Sequence, residues 1–173
     1  MNNLFLIGFM GAGKTSVSQG LGQLLGRDVI EMDQRIAESE GLSIPDIFAR
    51  KGEPYFRACE TALLESFAQG DPRIVSCGGG VPMREENVAA MRRCGTVILL
   101  TARPEVILER VRDDHNRPLL EGHKDIPYIS GLMEKRRPKY EAAADVTVDT
   151  SDRTIEEVCR EVLRQTGLAE PTV

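Results

Sequence analysis

Short runs of consecutive apolar residues recur along the chain and predict five β-strands. They lie at Asn3 to Ile7, Asp28 to Ile30, Arg73 to Cys77, Thr96 to Leu100 and Val146 to Val148. Most of these runs are apolar at successive positions, without alternating polar residues. That pattern is typical of strands in a parallel sheet that is covered on both faces. The sequence therefore predicts a buried five-stranded parallel sheet.

Between the predicted strands, apolar residues recur with the period of an α-helix. The stripes are Val17, Leu21, Leu24 and Leu25, then Phe56, Cys59, Leu63 and Phe67, then Ile155, Val158, Cys159, Val162 and Leu163. Each stripe is interpreted as the buried face of a helix, and Gly41, Gly70 and Gly167 as helix ends. Alternating strands and helices predict one α/β domain over residues 1–173, with helices flanking the sheet.

Composition and charge narrow the classes of function. The 173 residues include 22 Lys and Arg against 27 Asp and Glu, a net charge of −5, which disfavours nucleic-acid binding by general electrostatics. The longest apolar stretch, Leu4 to Met10, is much shorter than the ~20 residues of a membrane span and does not resemble a signal peptide. The four cysteines form no CxxC pair. We therefore expect a cytoplasmic protein without a membrane or nucleic-acid partner.

The segment Gly8 to Thr15, GFMGAGKT, matches the pattern G-x-x-x-x-G-K-[ST] between a predicted strand and a predicted helix. In such a loop, glycines let successive backbone N–H groups point at phosphate oxygens. Lys14 would reach the β- and γ-phosphates, and the Thr15 hydroxyl would ligate magnesium. A glycine-rich turn that binds nothing is the alternative, which the strand–loop–helix context disfavours. The motif predicts nucleotide binding.

Two acidic residues follow the second predicted strand. Many P-loop proteins carry a magnesium-binding Asp at the end of a further apolar strand, but the run Thr96 to Leu100 ends without one. Glu31 and Asp33 lie two residues apart on a segment predicted to be extended, so their side chains would point the same way. Glu31 is a candidate for the metal, through water, and Asp33 for the acceptor. A solvated strand end with Asp33 as helix N-cap is the alternative.

Three further features indicate how an acceptor could bind, and the arginines among them suit an anionic acceptor. The sequence SCGGG (76–80) closes the third strand with three glycines, which suits close approach to a ligand. The polar segment Asp113 to Asp125 predicts a lid over about residues 112–125. Arg57, Arg117 and Arg136 are candidates for contacts to a carboxylate or phosphate, which a guanidinium binds bidentately. Each arginine is equally well explained as a surface residue, because the sequence does not show whether they converge.

Taken together, these residues resemble the shikimate kinase family. The matching pieces are GFMGAGKT (8–15), Asp33, GLSIPDIF…GEPYFRACE (41–60), SCGGG (76–80), RPLL (117–120), Arg136 to Tyr140 and ADVTVDT (144–150). The resemblance implies a three-layer α/β/α P-loop fold similar to that of nucleoside monophosphate kinases, with a substrate-binding region at about 33–61. It also implies a monomer that transfers the γ-phosphate of ATP, with Mg²⁺, to the 3-hydroxyl of shikimate in aromatic amino acid biosynthesis.

The resemblance also implies a role for each matching residue. ATP would bind Gly11, Ala12, Gly13, Lys14, Thr15 and Ser16, with Arg110 and Arg153 beside the adenine and Arg117 over the phosphates. Asp33 would hold and help deprotonate the hydroxyl of shikimate, Arg57 and Arg136 would bind its carboxylate, and Gly78, Gly79 and Gly80 would contact its ring hydroxyls. Magnesium would lie on Thr15. Glu31 would act on the metal through water, and it stands where the family usually has Asp.

Three other interpretations are open from the sequence. A nucleoside monophosphate kinase is disfavoured, because the short chain leaves little room for a base-specific acceptor pocket. A related small-molecule kinase, such as a gluconate kinase, would share the fold, although Arg57 and Arg136 together with the three glycines favour a rigid carboxylated ring. A nucleotide-regulated binding module would bind ATP tightly without releasing ADP in response to an acceptor.

Overall fold

The structure, a computed structural model, describes residues 2–112 and 125–169, and in this part of the chain strands and helices alternate. The elements are β1 (Asn3–Ile7), α1 (Lys14–Leu25), β2 (Val29–Glu31), α2 (Met32–Glu40), α3 (Ile44–Lys51), α4 (Glu53–Ser66), β3 (Ile74–Ser76), α5 (Glu85–Cys94), β4 (Gly95–Thr101), α6 (Pro104–Val111), α7 (Ile126–Ala143), β5 (Val146–Asp149) and α8 (Ile155–Thr166). A 3₁₀ turn, Val81–Met83, lies between β3 and α5. None of the helices in these two ranges is long and apolar enough to cross a membrane.

The five strands form one sheet in the order β2-β3-β1-β4-β5, with every neighbouring pair parallel. Strand β1 is central, and Phe5 lies opposite Val75 on β3 and Val97 on β4. All residues of β1 are buried, because helices cover both faces: α1 packs against α8 on one side, and α4 against α5 on the other. The predicted parallel sheet and three-layer architecture are confirmed.

The predicted helical stripes are mostly buried, with one shift and one exception. On α4 the fully buried positions are Glu60 and Leu64, while Cys59 and Leu63 are only half-buried. The ends of the predicted stripe, Phe56 and Phe67, are buried as expected, and Cys59 and Leu63 still pack against the apolar cluster of Ile36, Ile47 and Phe56. On α8, Ile155 is 43% exposed, because it is the first helical residue, where the chain has just entered from the Thr154 cap.

Two of the three predicted helix ends are correct. Gly41 and Gly167 follow α2 and α8 with left-handed φ angles of 64° and 68°, a conformation that other residues rarely adopt. The assignment of Gly70 was wrong, since α4 already ends at Ser66 and Gly70 lies in the loop beyond it.

Helices α2, α3 and α4 form a unit with an apolar cluster of their own, made by Ile36, Ile47 and Phe56. This cluster is separate from the main core, which holds the side chains of β1, β3 and β4. Polar contacts also join the three helices, because Glu40 accepts hydrogen bonds from Lys51 at 2.7 Å and from Tyr55 at 3.0 Å. The unit carries Asp33 and Arg57 to the carboxyl edge of the sheet.

Candidate active site

The segment between β1 and α1 is a loop that curls around the amino end of α1. Gly11 and Gly13 have left-handed φ angles of 79° and 96°, which residues with a side chain rarely adopt, and Gly13 is the N-cap of α1. Lys14 Nζ donates to the carbonyls of Gly8 and Phe9 at 2.7 and 3.1 Å. The ammonium group therefore lies over the loop, where the backbone N–H groups of the helix end are exposed to an anion.

One cavity of about 640 Å³ extends from this loop past the carboxyl ends of β2 and β3. The predicted site residues that line it are Gly11, Gly13, Lys14, Thr15, Ser16, Glu31, Asp33, Arg57, Gly78, Gly79, Gly80, Arg110 and Arg136. Ala12 does not line it, because this residue of the loop is only 1% exposed. The structure thus gathers residues that are more than a hundred positions apart in the chain into one cleft.

The two acidic residues after β2 reach the cavity by a geometry that differs from the prediction. Strand β2 ends at Glu31 and α2 begins at Met32, so Asp33 lies in the first turn of a helix and the predicted extended segment is wrong. The N-cap is Glu31, which makes no side-chain capping bond. Glu31 Oε1 is buried with no hydrogen-bond partner among the described residues. Asp33 Oδ1 lies against the backbone of Gly78: a Cβ added to Gly78 would be 3.0 Å from this oxygen.

The three residues Gly78–Gly80, here called the glycine segment, are glycines because charged side chains lie directly against their backbone. A Cβ on the first, second and third residue would lie 2.9 Å from Glu60 Oε2, 3.0 Å from Arg136 Nη1 and 2.5 Å from Arg57 Nη1. None of the three has a positive φ, so the requirement is for space. The convergence of Arg57 and Arg136, which the sequence did not reveal, is therefore present in the structure.

Arg57 is held by two glutamates of its own helix, α4. Its guanidinium pairs with Glu60 at 2.7 Å and with Glu53 at 3.2 Å. Arg57 lies in the second turn of α4, which begins at Glu53, and does not open the helix. Glu60 is completely buried, and its second oxygen, Oε2, has no hydrogen-bond partner among the described residues. Burial raises the pKa of the Glu60 carboxyl, and the Arg57 guanidinium lowers it in part.

Arg136 reaches the glycine segment from α7 and has a different environment. Its Nη1 donates to the Tyr140 hydroxyl at 3.4 Å, and its guanidinium carbon lies 6.0 Å from the centre of the Phe9 ring. Within residues 2–112 and 125–169, no carboxylate pairs with Arg136. The two arginines therefore differ, because Arg57 is already neutralised by glutamates whereas Arg136 presents its charge to the cavity.

Three arginines were expected at the nucleotide: the structure describes Arg110 and Arg153, which lie in different surroundings, and does not describe Arg117. Arg110 donates to the Gly11 carbonyl at 3.0 Å and to the Thr150 hydroxyl at 3.1 Å, which joins the loop to the segment after β5. Arg153 is exposed and does not line the cavity. Arg117 lies outside the described residues, as does most of the predicted lid, residues 113–124.

Cys77 follows β3 beneath the cavity and is 2% exposed. Burial raises the pKa of its thiol far above the ordinary range, and the charge of Lys14 only partly opposes this. A neutral thiol is a poor nucleophile, so Cys77 acts as a small buried residue of the main core.

A family model described as shikimate kinase matches residues 10–166, most of the chain. The chain belongs to the shikimate kinase family. Among its relatives, a shikimate kinase from Dehalococcoides mccartyi is 44% identical over 161 residues, which is 93% of this chain and 91% of the relative.

Solved structures of the shikimate kinase family agree with this assignment. "Shikimate kinase from Acinetobacter baumannii in complex with shikimate" superposes with a TM-score of 0.89 at 32% identity, covering 96% of this chain and 93% of that one. The shikimate kinase from Aquifex aeolicus gives a TM-score of 0.82 at 36% identity and covers 95% of this chain and 96% of that one. The predicted family is confirmed, and the interpretation as a gluconate kinase is not supported.

Sequence analysis of this shikimate kinase family member missed two residues at the glycine segment. Glu60 contacts Arg57, and Tyr140 donates to the Gly79 carbonyl at 2.7 Å. A signal was present for Glu60, since glutamates at −4 and +3 from Arg57 are at the spacing of helical ion pairs. For Tyr140 the signals were its place at the end of the matching run Arg136 to Tyr140 and its position one helical turn after Arg136.

Proposed function

We propose that this member of the shikimate kinase family transfers the γ-phosphoryl group of ATP to the 3-hydroxyl of shikimate and releases shikimate 3-phosphate and ADP, a step in the biosynthesis of aromatic amino acids. One observation carries the proposal: the same cavity holds a phosphate-binding loop and, at its other end, one carboxylate and two arginines. Shikimate offers a hydroxyl to the carboxylate and a carboxylate to the arginines.

At the nucleotide end, we assign the ATP phosphates to the backbone N–H groups of residues 11–16 and to Lys14. The ammonium group of Lys14 now contacts two neutral carbonyls, and an anionic phosphate oxygen is a stronger partner. Lys14 would exchange these carbonyls for the β- and γ-phosphates when ATP binds. Arg110 and Arg153 are proposed to flank the adenine and Arg117 to reach over the phosphates.

At the acceptor end, we assign the carboxylate of shikimate to Arg57 and Arg136, its 3-hydroxyl to Asp33 and its ring hydroxyls to the backbone of the glycine segment. The geometry supports this, because Asp33 lies against Gly78 and the two guanidiniums lie against the next two residues. Two residues of extended chain span at most ~7 Å, which is the scale of a substituted ring. A planar guanidinium binds a carboxylate bidentately.

The residues near the loop fit a magnesium ion. Thr15 and Glu31 face the same cavity, and the buried, unpartnered Oε1 of Glu31 is a hard oxygen ligand of the type that Mg²⁺ prefers. In the described residues no cluster of three or more His, Cys, Asp or Glu is arranged to hold a metal. We therefore propose that Thr15 binds the ion directly and Glu31 through water. Bound there, Mg²⁺ would neutralise charge on the phosphates.

The chemistry proposed for the side chains is alignment and charge neutralisation, which dominate phosphoryl transfer. Asp33 would orient the 3-hydroxyl and accept its proton as the new O–P bond forms. Lys14 and Arg117 would stabilise the charge on the transferring group. Closure of the predicted lid at 112–125 would exclude water, which otherwise competes as acceptor.

We also propose that the enzyme acts in the cytoplasm as a monomer, without a membrane or nucleic-acid partner. The four cysteines are all free thiols, two of them buried, which suits a reducing compartment. The net charge of −5 disfavours binding to nucleic acid.

The test is ADP release with Mg-ATP, measured separately with shikimate, quinate, gluconate and nucleoside monophosphates. We expect strong stimulation by shikimate alone. Equal or greater stimulation by another acceptor would keep the kinase and overturn the assignment of Arg57 and Arg136. Tight ATP binding with no stimulation by any acceptor would favour the nucleotide-regulated binding module.

A further inference from the structure

Two buried side chains hold the backbone of the glycine segment and of Val81, the residue that follows it. Tyr140, on α7, donates its hydroxyl to the Gly79 carbonyl at 2.7 Å. Asn87, on α5, donates its Nδ2 to the Val81 carbonyl at 2.9 Å. Tyr140 is 5% exposed and Asn87 is 0% exposed. The two carbonyls that flank Gly80 are therefore each fixed by a different helix.

Asn87 connects the glycine segment to the helix that carries Arg57. The Thr61 hydroxyl, on α4, donates to Asn87 Oδ1 at 2.7 Å and accepts a hydrogen bond from Arg84 at 3.3 Å. Both ends of the buried Asn87 amide are thus used, one towards Val81 and the other towards α4. Thr61 lies one helical turn beyond Arg57, directly after Glu60.

Tyr140 connects the same segment to Arg136. The two residues are four positions apart on α7, and Arg136 Nη1 donates to the Tyr140 hydroxyl at 3.4 Å. Burial raises the pKa of Tyr140, with the Arg136 charge opposing in part. The hydroxyl therefore keeps its proton and remains a donor to Gly79.

We infer that Tyr140 and the Thr61–Asn87 pair are positioning residues for the acceptor: they fix the glycine segment against Arg57 and Arg136 and so set the spacing between the hydroxyl-binding and carboxylate-binding groups. The inference rests on the proposed function, which assigns the shikimate carboxylate to the two arginines. The guanidiniums lie directly against this backbone, since a Cβ on Gly79 or Gly80 would be 3.0 Å from Arg136 Nη1 or 2.5 Å from Arg57 Nη1. A small shift of this backbone therefore moves an arginine, whereas Lys14 and its loop make none of these bonds.

The test on α7 is Tyr140→Phe, which removes only the hydroxyl. A buried hydrogen bond of this kind is worth about a 10-fold change in an equilibrium constant, so we expect the KM for shikimate to rise about 5- to 10-fold while the KM for ATP changes less than about 2-fold. With shikimate methyl ester as acceptor, the penalty of Tyr140→Phe is expected to shrink, because the ester has no free carboxylate for Arg136 to bind.

The test on α4 compares Thr61→Val, which loses the hydroxyl at nearly constant volume, with Thr61→Ser, which keeps it. We expect the valine variant to raise the KM for shikimate selectively and the serine variant to restore it. Thr166→Val is the matched control, because the Thr166 hydroxyl bonds to the Val162 carbonyl of α8 and does not line the cavity. Calorimetric binding of shikimate to each folded variant, with its melting temperature, separates a positioning effect from lost structure.

Comparison with Arg136→Ala distinguishes a failure of the positioning inference from a failure of the proposed function. If Arg136→Ala raises the KM for shikimate while Tyr140→Phe and Thr61→Val do not, the positioning inference is overturned and the proposed function stands. If it has no effect on shikimate, the acceptor assignment is wrong, and the positioning inference is wrong with it. Parallel increases in both KM values, together with a lower melting temperature, would show that Tyr140 and Thr61 are merely structural.

Discussion

The two ends of the cavity are built in different ways. The phosphate-binding part of the nucleotide end is one continuous stretch, residues 8–16, and it is anchored by β1 and α1 in the main core. The acceptor end collects side chains from α2, α4 and α7 around the glycine segment. The helices α2–α4 add only a small apolar cluster, Ile36, Ile47 and Phe56. A site made of backbone is fixed by local conformation, whereas a site made of side chains depends on packing between distant segments.

This difference predicts that the two ends respond separately to substitution. Changes in the acceptor end are expected to alter turnover or the KM for shikimate while ATP binding stays near normal. Three substitutions test this separation, a fourth tests the stability of the acceptor end, and each has a matched control elsewhere in the chain.

The largest effect is expected from Asp33→Asn, which keeps the shape of the side chain but removes its charge and basicity. General base catalysis contributes about 10²- to 10⁴-fold to turnover, so kcat should fall by that order while ATP binding is retained. Steady-state kinetics and calorimetric titration with ATP measure the two effects. Glu38→Gln, on the same helix but outside the cavity, should leave both unchanged. Near-normal turnover in Asp33→Asn would remove Asp33 from the base role.

The nucleotide end was predictable from the sequence because its signals are local. The glycine spacing, the preceding apolar run and the helix starting at Lys14 all lie within residues 3–25, and the structure reproduces them. The start of α2 was not predictable in this way. Met32 packs into the main core and Ile36 into the small cluster, so distant contacts make the chain helical directly after Glu31.

Glu60 shows why the acceptor end was predicted only in part. Glutamate is rarely buried unless it is paired, and the periodicity of α4 placed Cys59 on the inward face. The next residue, Glu60, is instead the fully buried one and faces the glycine segment. Which of two neighbouring positions is fully buried follows from how α4 packs against other segments, and periodicity alone does not determine it.

A smaller but selective effect is expected from Arg136→Ala. Hydrogen bonds to charged groups are worth about 1.5–3 kcal/mol, so the KM for shikimate should rise roughly 10- to 100-fold while the KM for ATP stays within about 2-fold. The control is Arg137→Ala, since the neighbouring Arg137 is exposed, pairs with Glu134 at 2.5 Å and does not line this cavity. Equal increases in both KM values would argue against a carboxylate contact at Arg136.

Gly80→Ala tests whether the glycine segment needs space or flexibility. The new Cβ would lie 2.5 Å from Arg57 Nη1 and would displace that guanidinium from Glu60. Overpacking of this kind costs about 1–3 kcal/mol, so we expect a rise of roughly 10-fold in the KM for shikimate and a lower melting temperature. The control is Gly131→Ala on α7, where a Cβ meets nothing within 4 Å. That variant should be stabilised by about 0.5–1 kcal/mol; wild-type kinetics in Gly80→Ala would contradict the steric account.

The smallest effect is a pH dependence of stability at the acceptor end. Burial raises the pKa of Glu60 above its ordinary value of 4.5, so the folded protein keeps this proton to higher pH than the unfolded chain does. In that window the folded state binds more protons, and the contribution of Glu60 to stability falls as pH rises. Below the window the contribution is fully present. A glutamine side chain does not titrate in this pH range, so the variant Glu60→Gln lacks this contribution.

Glu60→Gln therefore tests whether titration of the buried Glu60 carboxyl makes the free energy of unfolding depend on pH. We expect the free energy of unfolding of the wild type, minus that of the variant, to decrease as pH rises from 4.5 and then to level off. Urea denaturation at a series of pH values measures it. Glu53→Gln also removes a partner of Arg57, but Glu53 is 60% exposed, where solvent screens the charge, so its curve should run parallel to the wild type. A parallel curve for Glu60→Gln would mean that Glu60 titrates alike in the folded and unfolded chain.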